Sequence, residues 1–163
     1  VNFGCQLSKE RFSVLWKGVD VSVQIEKGMK YWRFLLSDAH KDYKLDLSYE
    51  SIWQIVLHHS QYSKAKYLVI QLLHAPRIFE KEKQPFYNSY HSPLYNFVRG
   101  GSDDQWTRTT DFTHSCIGQS SSVCIELSSG IDISDLGTNS VYYKDTTDIL
   151  ELERGSTYSH SVS

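Results

Sequence analysis

The chain has 163 residues, of which 40% are hydrophobic and 22% are charged, and its formal net charge is −2. This length suits one compact domain that hides roughly 70% of its unfolded surface, so a core can form without disulfides or structural metals. The sequence lacks the run of roughly 20 apolar residues that a membrane helix needs, and three cysteines without a C-x-x-C motif indicate a reducing compartment.

The first half of the chain shows the period-two alternation of half-buried strands. VDVSVQIE (19–26) alternates valine and isoleucine with polar residues, which predicts a strand with Val19, Val21 and Val23 on its buried side. Gly28 can adopt a positive φ, and MKYWRFLL (29–36) resumes the pattern, so the two runs predict a hairpin. RFSVLW (11–16) is predicted to be a strand of the same sheet.

The pattern continues through the middle of the chain. YKLDLSY (43–49) and SIWQIVL (51–57) are predicted strands, and KYLVIQLL (66–73) is the most apolar run, which indicates a central strand ended by Pro76. SVCIEL (122–127) is a further strand. The elements predict a mainly β fold, a barrel or sandwich of about seven antiparallel strands.

Other stretches interrupt this pattern. Residues 80–104 contain two prolines and a Gly-Gly pair without periodicity, so we expect a long surface insertion. One late helix is predicted within residues 133–145, with Ser134 or Asp135 as its cap. We place the domain at residues 1–150 and a linking tail at 151–163, and we expect the chain to be a segment of a longer protein.

The stretch from Asp103 to Leu127 contains residues that could carry chemistry. Asp103 and Asp104 could bind Mg²⁺ or act as an acid/base pair, but they follow Gly-Gly-Ser, where turn hydrogen bonding is the usual role of aspartates. His114 and Cys116, with Cys124, could ligate zinc, yet no fourth ligand with zinc spacing is evident. We therefore predict no metal site.

Two other possibilities for chemistry are weaker still. A Cys/His nucleophilic pair has no supporting sequence context. His58 and His59 follow a predicted strand, and a turn is the preferred interpretation. The sequence thus predicts no catalytic residues.

Charge is unevenly distributed along the chain. Residues 1–85 hold 13 lysines and arginines against 9 acidic residues, whereas residues 86–163 hold 4 against 10. Lys27, Lys30 and Arg33 flank Tyr31 and Trp32 around the predicted hairpin. Cations beside aromatic rings suit single-stranded nucleic acid, which binds by base stacking and phosphate attraction. The alternative is that Trp32 belongs to the core and the cations solvate the outer surface.

Long strings of the sequence resemble a known family. NFGCQLSKERFSVLW, KDYKLDLSYESIWQIVLHH, KYLVIQLLHAPRIFEK and DDQWTRTTDFTHSCIGQSSSVCIEL are similar to the plant RNA-dependent RNA polymerases of gene silencing, over nearly the whole chain. The resemblance implies an N-terminal PH-like domain, a bent barrel of seven strands closed by a C-terminal helix. It also implies a parent enzyme that copies single-stranded RNA into duplex for small-RNA production and antiviral defence.

The parent enzyme's chemistry does not extend to these residues. The family binds catalytic magnesium with an Asp-x-Asp-Gly-Asp motif, and the sequence contains no such string. We therefore expect no cofactor and no enzymatic activity in this chain.

The family context favours an accessory domain that binds template or product RNA, with Lys27, Lys30 and Arg33 as the expected contacts. The alternative is a protein-docking module, in which the aromatic residues of 85–97 or a barrel face would contact partners. Phosphoinositide binding follows only from fold analogy. We expect RNA and other domains of the polymerase as partners, no membrane, and a nuclear or cytoplasmic location.

Overall fold

The computed structural model describes residues 1–25, 28–62, 64–83, 105–128 and 143–155. These residues form twelve strands and one 3₁₀ turn, so the prediction of a mainly β fold is confirmed. The turn is Tyr49–Ser51, and the strands are β1 (Asn2–Gln6), β2 (Arg11–Lys17), β3 (Ser22–Gln24), β4 (Tyr31–Ser37), β5 (Lys41–Ser48), β6 (Ile52–His58), β7 (Lys66–Leu72), β8 (Arg77–Glu82), β9 (Thr107–Arg108), β10 (Ser122–Leu127), β11 (Tyr143–Thr146) and β12 (Glu151–Arg154).

The strands form two sheets. Seven strands form the larger sheet in the order β11-β6-β7-β10-β1-β2-β12, and five form the smaller one in the order β3-β4-β5-β8-β9. Both sheets, as far as the chain is described, end in open edges, so the architecture is a PH-like sandwich rather than a closed barrel. Neighbouring strands are antiparallel, as predicted, except that β11 runs parallel to β6 and β12 parallel to β2.

Side chains alternate between the two faces of each strand, and those on the inner faces form the core between the two sheets. Side chains on the inner faces are almost completely shielded from water, and burying each one stabilises the fold by roughly 1.5–3 kcal/mol. The largest of them are Phe3, Trp32, Phe34, Leu45, Leu47, Ile55, Leu68, Ile70, Ile117 and Val123. Trp32 is therefore a core residue, and only its strand neighbours Tyr31 and Arg33 face outward.

Several predicted local features are confirmed. β3 and β4 form the hairpin, with Ser22 opposite Leu35, and Gly28 has a φ of +93°. β7 lies inside the larger sheet, between β6 and β10, and it ends at Leu72 shortly before Pro76.

The placement of RFSVLW beside the hairpin is wrong. β2 pairs with β1 and β12 in the larger sheet, whereas the hairpin belongs to the smaller one. The chain changes sheets over residues 18–21, and alternation reveals which side chains share a face but not which strands pair. Val19 was expected to face the core, but it is 82% exposed because β3 begins only at Ser22.

Some sequence predictions concern residues beyond those described. The predicted late helix, including Ser134 and Asp135, falls largely within 129–142, outside the described residues, and its predicted end from Tyr143 is strand β11. In the predicted insertion, β8 continues to Glu82, and residues 84–104 are not described. In the predicted tail, Glu151–Arg154 form β12. The division at residue 150 stays a prediction.

A second, smaller hydrophobic cluster lies on the outer face of the larger sheet. Phe12, Val69 and Cys124 alternate with inward-facing residues and pack against Leu150. Leu150 belongs to residues 147–150, the crossing segment, which links β11 at one edge of the sheet to β12 at the other. The crossing segment therefore runs over this outer face. In the described part of the chain, no helix is long and apolar enough to span a membrane.

Candidate nucleic-acid interface

The pairing register of the smaller sheet brings cationic and aromatic side chains onto its outer face. Residues directly opposite each other on neighbouring strands project to the same face. One row across the sheet consists of Leu35, Lys44, Phe79 and Arg108. The row on one side of it is formed by Arg33, Asp46 and Arg77, and the row on the other side by Ser37, Asp42 and Lys81. The face is thus assembled from four strands, β4, β5, β8 and β9, of which β8 and β9 are distant in sequence from the first two.

Cations and rings alternate in space at the β8–β9 end of this face. The Arg108 guanidinium lies 5.6 Å from the centre of the Phe79 ring, and Lys44 Nζ lies 4.9 Å from the same centre. Lys44 Nζ is also 4.8 Å from the Trp106 ring, and Lys81 Nζ is 4.7 Å from it. We name these five residues the cation–aromatic cluster. Such a contact stabilises a cation by about 0.5–1 kcal/mol at an exposed site and more where the cation is desolvated, as it is for Lys44, which is 8% exposed.

The outer face carries more positive than negative charge. Among the described residues of these three rows, five cations share the face with two carboxylates, a surplus of three positive charges; the residues are Arg33, Lys44, Arg77, Lys81 and Arg108 against Asp42 and Asp46. Asp46 pairs with Arg33 at 2.8 Å. Among the described residues, no carboxylate forms an ion pair with Arg77, Lys81 or Arg108.

The acidic residues of β8 do not cancel this charge. Glu80 and Glu82 alternate with Lys81 and therefore project to the opposite side of the strand. There Lys41 pairs with Glu80 at 3.2 Å and approaches Glu82 at 3.7 Å. The interaction with Glu80 raises the pKa of Lys41, which keeps that lysine charged.

The three residues predicted to contact RNA have different positions. Lys27 lies outside the described residues, and Lys30 is exposed just before β4. Arg33 reaches the outer face, but it donates two hydrogen bonds to Asp46 and one to the Tyr31 hydroxyl. Its guanidinium also lies 4.8 Å from the Tyr31 ring centre. Of the two that are described, Arg33 lies on this face, and the role of all three in RNA binding stays a prediction.

Sequence reasoning missed the cation–aromatic cluster. The alternation of Arg77, Phe79 and Lys81 in RIFEKE was a usable signal, because it places a ring between two cations on one side of a strand. Trp106 and Arg108 gave no comparable signal, since they reach the cluster only through the pairing of β9 with β8.

Within the stretch that looked most like a chemical site, the segment between β9 and β10 is a structural loop. The Asp111 carboxylate accepts hydrogen bonds from the Thr113 backbone N–H at 2.8 Å, from the Thr113 hydroxyl, and from the Gly118 N–H at 2.5 Å. His114 and Ser115 both have left-handed backbone conformations, with φ of 54° and 70°. These bonds close a compact turn between β9 and β10.

The Asp111 loop also joins the two sheets. Phe112 stacks on Tyr43 of the smaller sheet, with ring centres 4.1 Å apart, and meets Trp16 of the larger sheet edge-to-face at 5.8 Å. Residues 111–120 therefore have a packing role.

Metal-binding chemistry finds no support in this region. Within the described ranges, no group of three or more His, Cys, Asp or Glu side chains is arranged to hold a metal ion. Cys124 is buried in the outer hydrophobic cluster, and burial raises the pKa of its thiol to about 12, so it is protonated at neutral pH. Asp103 and Asp104 lie outside the described residues.

Comparisons with known proteins agree with this architecture. A family model described as "RDR2 PH-like domain" matches residues 1–151. RNA-dependent RNA polymerase 1 of Arabidopsis thaliana is 45% identical over 163 residues, which cover 99% of this chain and 14% of that protein. RNA-dependent RNA polymerase 2 of the same plant is 27% identical over 160 residues, covering 94% of this chain and again 14% of the relative. The chain thus spans about one-seventh of either relative.

Proposed function

The chain belongs to the RDR2 PH-like domain family, and from this premise we propose that it is a noncatalytic accessory domain of an RNA-dependent RNA polymerase that binds RNA through the cation–aromatic cluster. The observation that carries the proposal is the alternation of Arg108, Phe79, Lys44, Trp106 and Lys81 on one sheet face. Fixed cations in excess over carboxylates attract the RNA backbone.

The arrangement favours contact with phosphates over base stacking. Cations already lie over the rings of Phe79 and Trp106, so neither ring offers an unoccupied platform like those on which bases stack in single-strand-binding proteins. Lys81 and Arg108 lie at the ends of the alternating series. Their charged groups are the best placed to meet phosphates, and such binding is independent of base sequence.

The relation to the whole polymerase follows from the same proposal. The parent enzyme copies single-stranded RNA into duplex within RNA silencing and antiviral defence, in the nucleus or the cytoplasm. Its magnesium chemistry belongs to an Asp-x-Asp-Gly-Asp motif that this sequence lacks. The domain would hold template or product RNA beside that catalytic centre, while its other surfaces contact neighbouring domains.

The double substitution Lys81→Gln and Arg108→Gln tests the interface. Each lost phosphate contact on single-stranded RNA changes the slope of log Kobs against log salt by about 0.7, so we expect the slope to become shallower by about 1.4. Fluorescence anisotropy of a labelled single-stranded RNA, measured from low to moderate salt, gives both affinity and slope. We expect affinity at low salt to fall about tenfold or more.

A matched control removes equal charge from the larger sheet. Lys17 and Lys66 are exposed on β2 and β7, outside the cation–aromatic cluster, and Lys17→Gln with Lys66→Gln should leave the slope nearly unchanged. Equal losses of RNA affinity in the two double variants would mean that RNA binding depends only on the net charge of the chain and would refute this interface. Unaltered binding in both would place the RNA contacts elsewhere and also refute this interface, whereas no RNA binding even at low salt would favour the protein-docking alternative.

A further inference from the structure

A polar groove with a volume of about 520 Å³ opens on the outer face of the larger sheet, next to the crossing segment. Three glutamines from three strands form a hydrogen-bonded chain along it. Gln54 Nε2 donates to Gln71 Oε1 at 2.5 Å, and Gln71 Nε2 donates to Gln6 Oε1 at 2.6 Å. This groove lies on the sheet opposite to the one that carries the cation–aromatic cluster.

The glutamine chain retains unused hydrogen-bonding capacity. Because both bonds run in the same direction, the Gln54 carbonyl oxygen stays available as an acceptor at one end and the Gln6 amide nitrogen as a donor at the other. A ligand lying along the chain therefore meets both donors and acceptors, as the edge of a nucleobase requires.

His58 lines the same groove with a buried ring. Its side chain is nearly completely buried, and Nδ1 lies 3.2 Å from the Asp148 carbonyl oxygen. A carbonyl only accepts, so Nδ1 carries the proton and Nε2 is the acceptor of the neutral ring. Burial lowers the pKa of His58 below its ordinary 6.5, more than the nearby Asp148 raises it, so the ring is neutral at pH 7.

Nε2 of His58 has no hydrogen-bond partner among the described residues. A buried acceptor without a donor costs about 1–3 kcal/mol, so a donor from a ligand or water would stabilise it. His58 also lines a smaller cavity of about 10 Å³, which is at the lower limit of the roughly 10–15 Å³ that one water needs. Nε2 is shielded from the larger groove, which His58 also lines, so the ring reports on an occupant of that groove without contacting it through Nε2.

Two lysines give the groove an affinity for anions. Lys144 of β11 lies opposite Val56, and Lys9 belongs to the turn after β1; both line the groove and are exposed. Neither forms an ion pair with a described residue, and Asp148 is the one carboxylate among the lining side chains. The ligand should thus combine negative charge with hydrogen-bond donors.

We propose that this groove binds one nucleotide unit, with its phosphate at Lys9 and Lys144 and its base along the glutamine chain, beside the His58 ring. A volume of about 520 Å³ lies within the roughly 300–1,000 Å³ of small-molecule sites. The source is either a free nucleotide or a nucleotide of an RNA chain. This site is separate from the RNA contacts of the cation–aromatic cluster.

Histidine side-chain ¹⁵N NMR of the whole 163-residue chain tests the proposal. Titration at pH 7 with uridine and adenosine monophosphates should shift the His58 Nε2 resonance in a saturable manner. The same nucleosides without phosphate should bind about tenfold more weakly or worse, because they lose the charged contacts. Short RNAs with free or blocked ends are titrated in parallel to identify the source of the nucleotide. If mononucleotides shift the His58 resonance, the ligand is a free nucleotide. If only RNA shifts it, the ligand is one nucleotide of an RNA chain.

Variants separate this site from the proposed RNA face. Lys144→Gln should weaken mononucleotide binding about tenfold, whereas Lys66→Gln should not change it. The Lys81→Gln and Arg108→Gln double variant should still bind mononucleotide. Mononucleotide binding in the groove can therefore be tested even if the cation–aromatic cluster does not bind RNA. The proposal is overturned if no nucleotide or RNA moves His58 Nε2, or if inorganic phosphate alone moves it equally.

Discussion

Replacing Gly4 with alanine is expected to lower the free energy of unfolding by on the order of 3 kcal/mol or more. Gly4 lies in β1 at a bulge, where the register with β2 shifts between Phe3 and Gly4. A Cβ atom at this position would lie 1.9 Å from the backbone oxygen of Ser13 and 2.9 Å from its carbonyl carbon. Because backbone cannot rotate away as a side chain can, β1 and β2 would have to separate.

The separation would reach the core, since Phe3, the neighbour of Gly4, is 1% exposed and contacts Trp16 and Phe34. Urea denaturation followed by tryptophan fluorescence measures the loss. Gly28→Ala is the control: Gly28 has a φ of +93° but no atom lies within 4 Å of the added Cβ, so only about 1–2 kcal/mol of backbone strain is expected. If the two variants lose equal stability, the steric account of Gly4 is wrong.

Asp111→Ala is expected to cost about 3 kcal/mol of the free energy of unfolding. The substitution leaves the N–H groups of Thr113 and Gly118 without their acceptor, and hydrogen bonds to charged groups contribute about 1.5–3 kcal/mol each. The left-handed conformations of His114 and Ser115 lose the bonds that enforce them. Phe112 should then leave its stack on Tyr43, which weakens the join between the sheets.

Chemical denaturation gives the stability change, and near-ultraviolet circular dichroism reports the aromatic stack directly. Asp20→Ala is the matched control, because Asp20 is an exposed carboxylate in a bend and surface substitutions usually change stability by less than about 0.5 kcal/mol. An Asp111→Ala variant as stable as Asp20→Ala, with an unchanged aromatic signal, would contradict the structural role of the loop.

Local pattern was enough to predict most strands and their buried faces. The alternation in YKLDLSY correctly places Tyr43, Leu45 and Leu47 inward, because side chains of a strand alternate whatever it pairs with. Pairing partners are decided by contacts distant in sequence. The sequence therefore did not reveal that β2 leaves the hairpin for the larger sheet, or that β11 and β12 add parallel strands at its two edges.

The same limit applies to the candidate site. Lys81 and Phe79 could be assigned to one face from RIFEKE, but Trp106 and Arg108 come from the far side of a connection longer than 20 residues. His58 was interpreted as part of a turn, although β6 runs one residue further than the pattern predicted and buries it. Its contact with Asp148 depends on the crossing segment, whose path no local periodicity encodes.

The salt dependence of single-stranded RNA binding by the unmodified chain tests the central claim most directly. If Lys81 and Arg108 of the cation–aromatic cluster and Arg77 in the adjacent row each contact one phosphate, log Kobs should fall linearly with log salt with a slope of about −2, given about −0.7 per contact on single strands. Fluorescence anisotropy across a salt series measures that slope. Binding that does not change with salt, or no binding at low salt, would contradict an RNA interface on the smaller sheet.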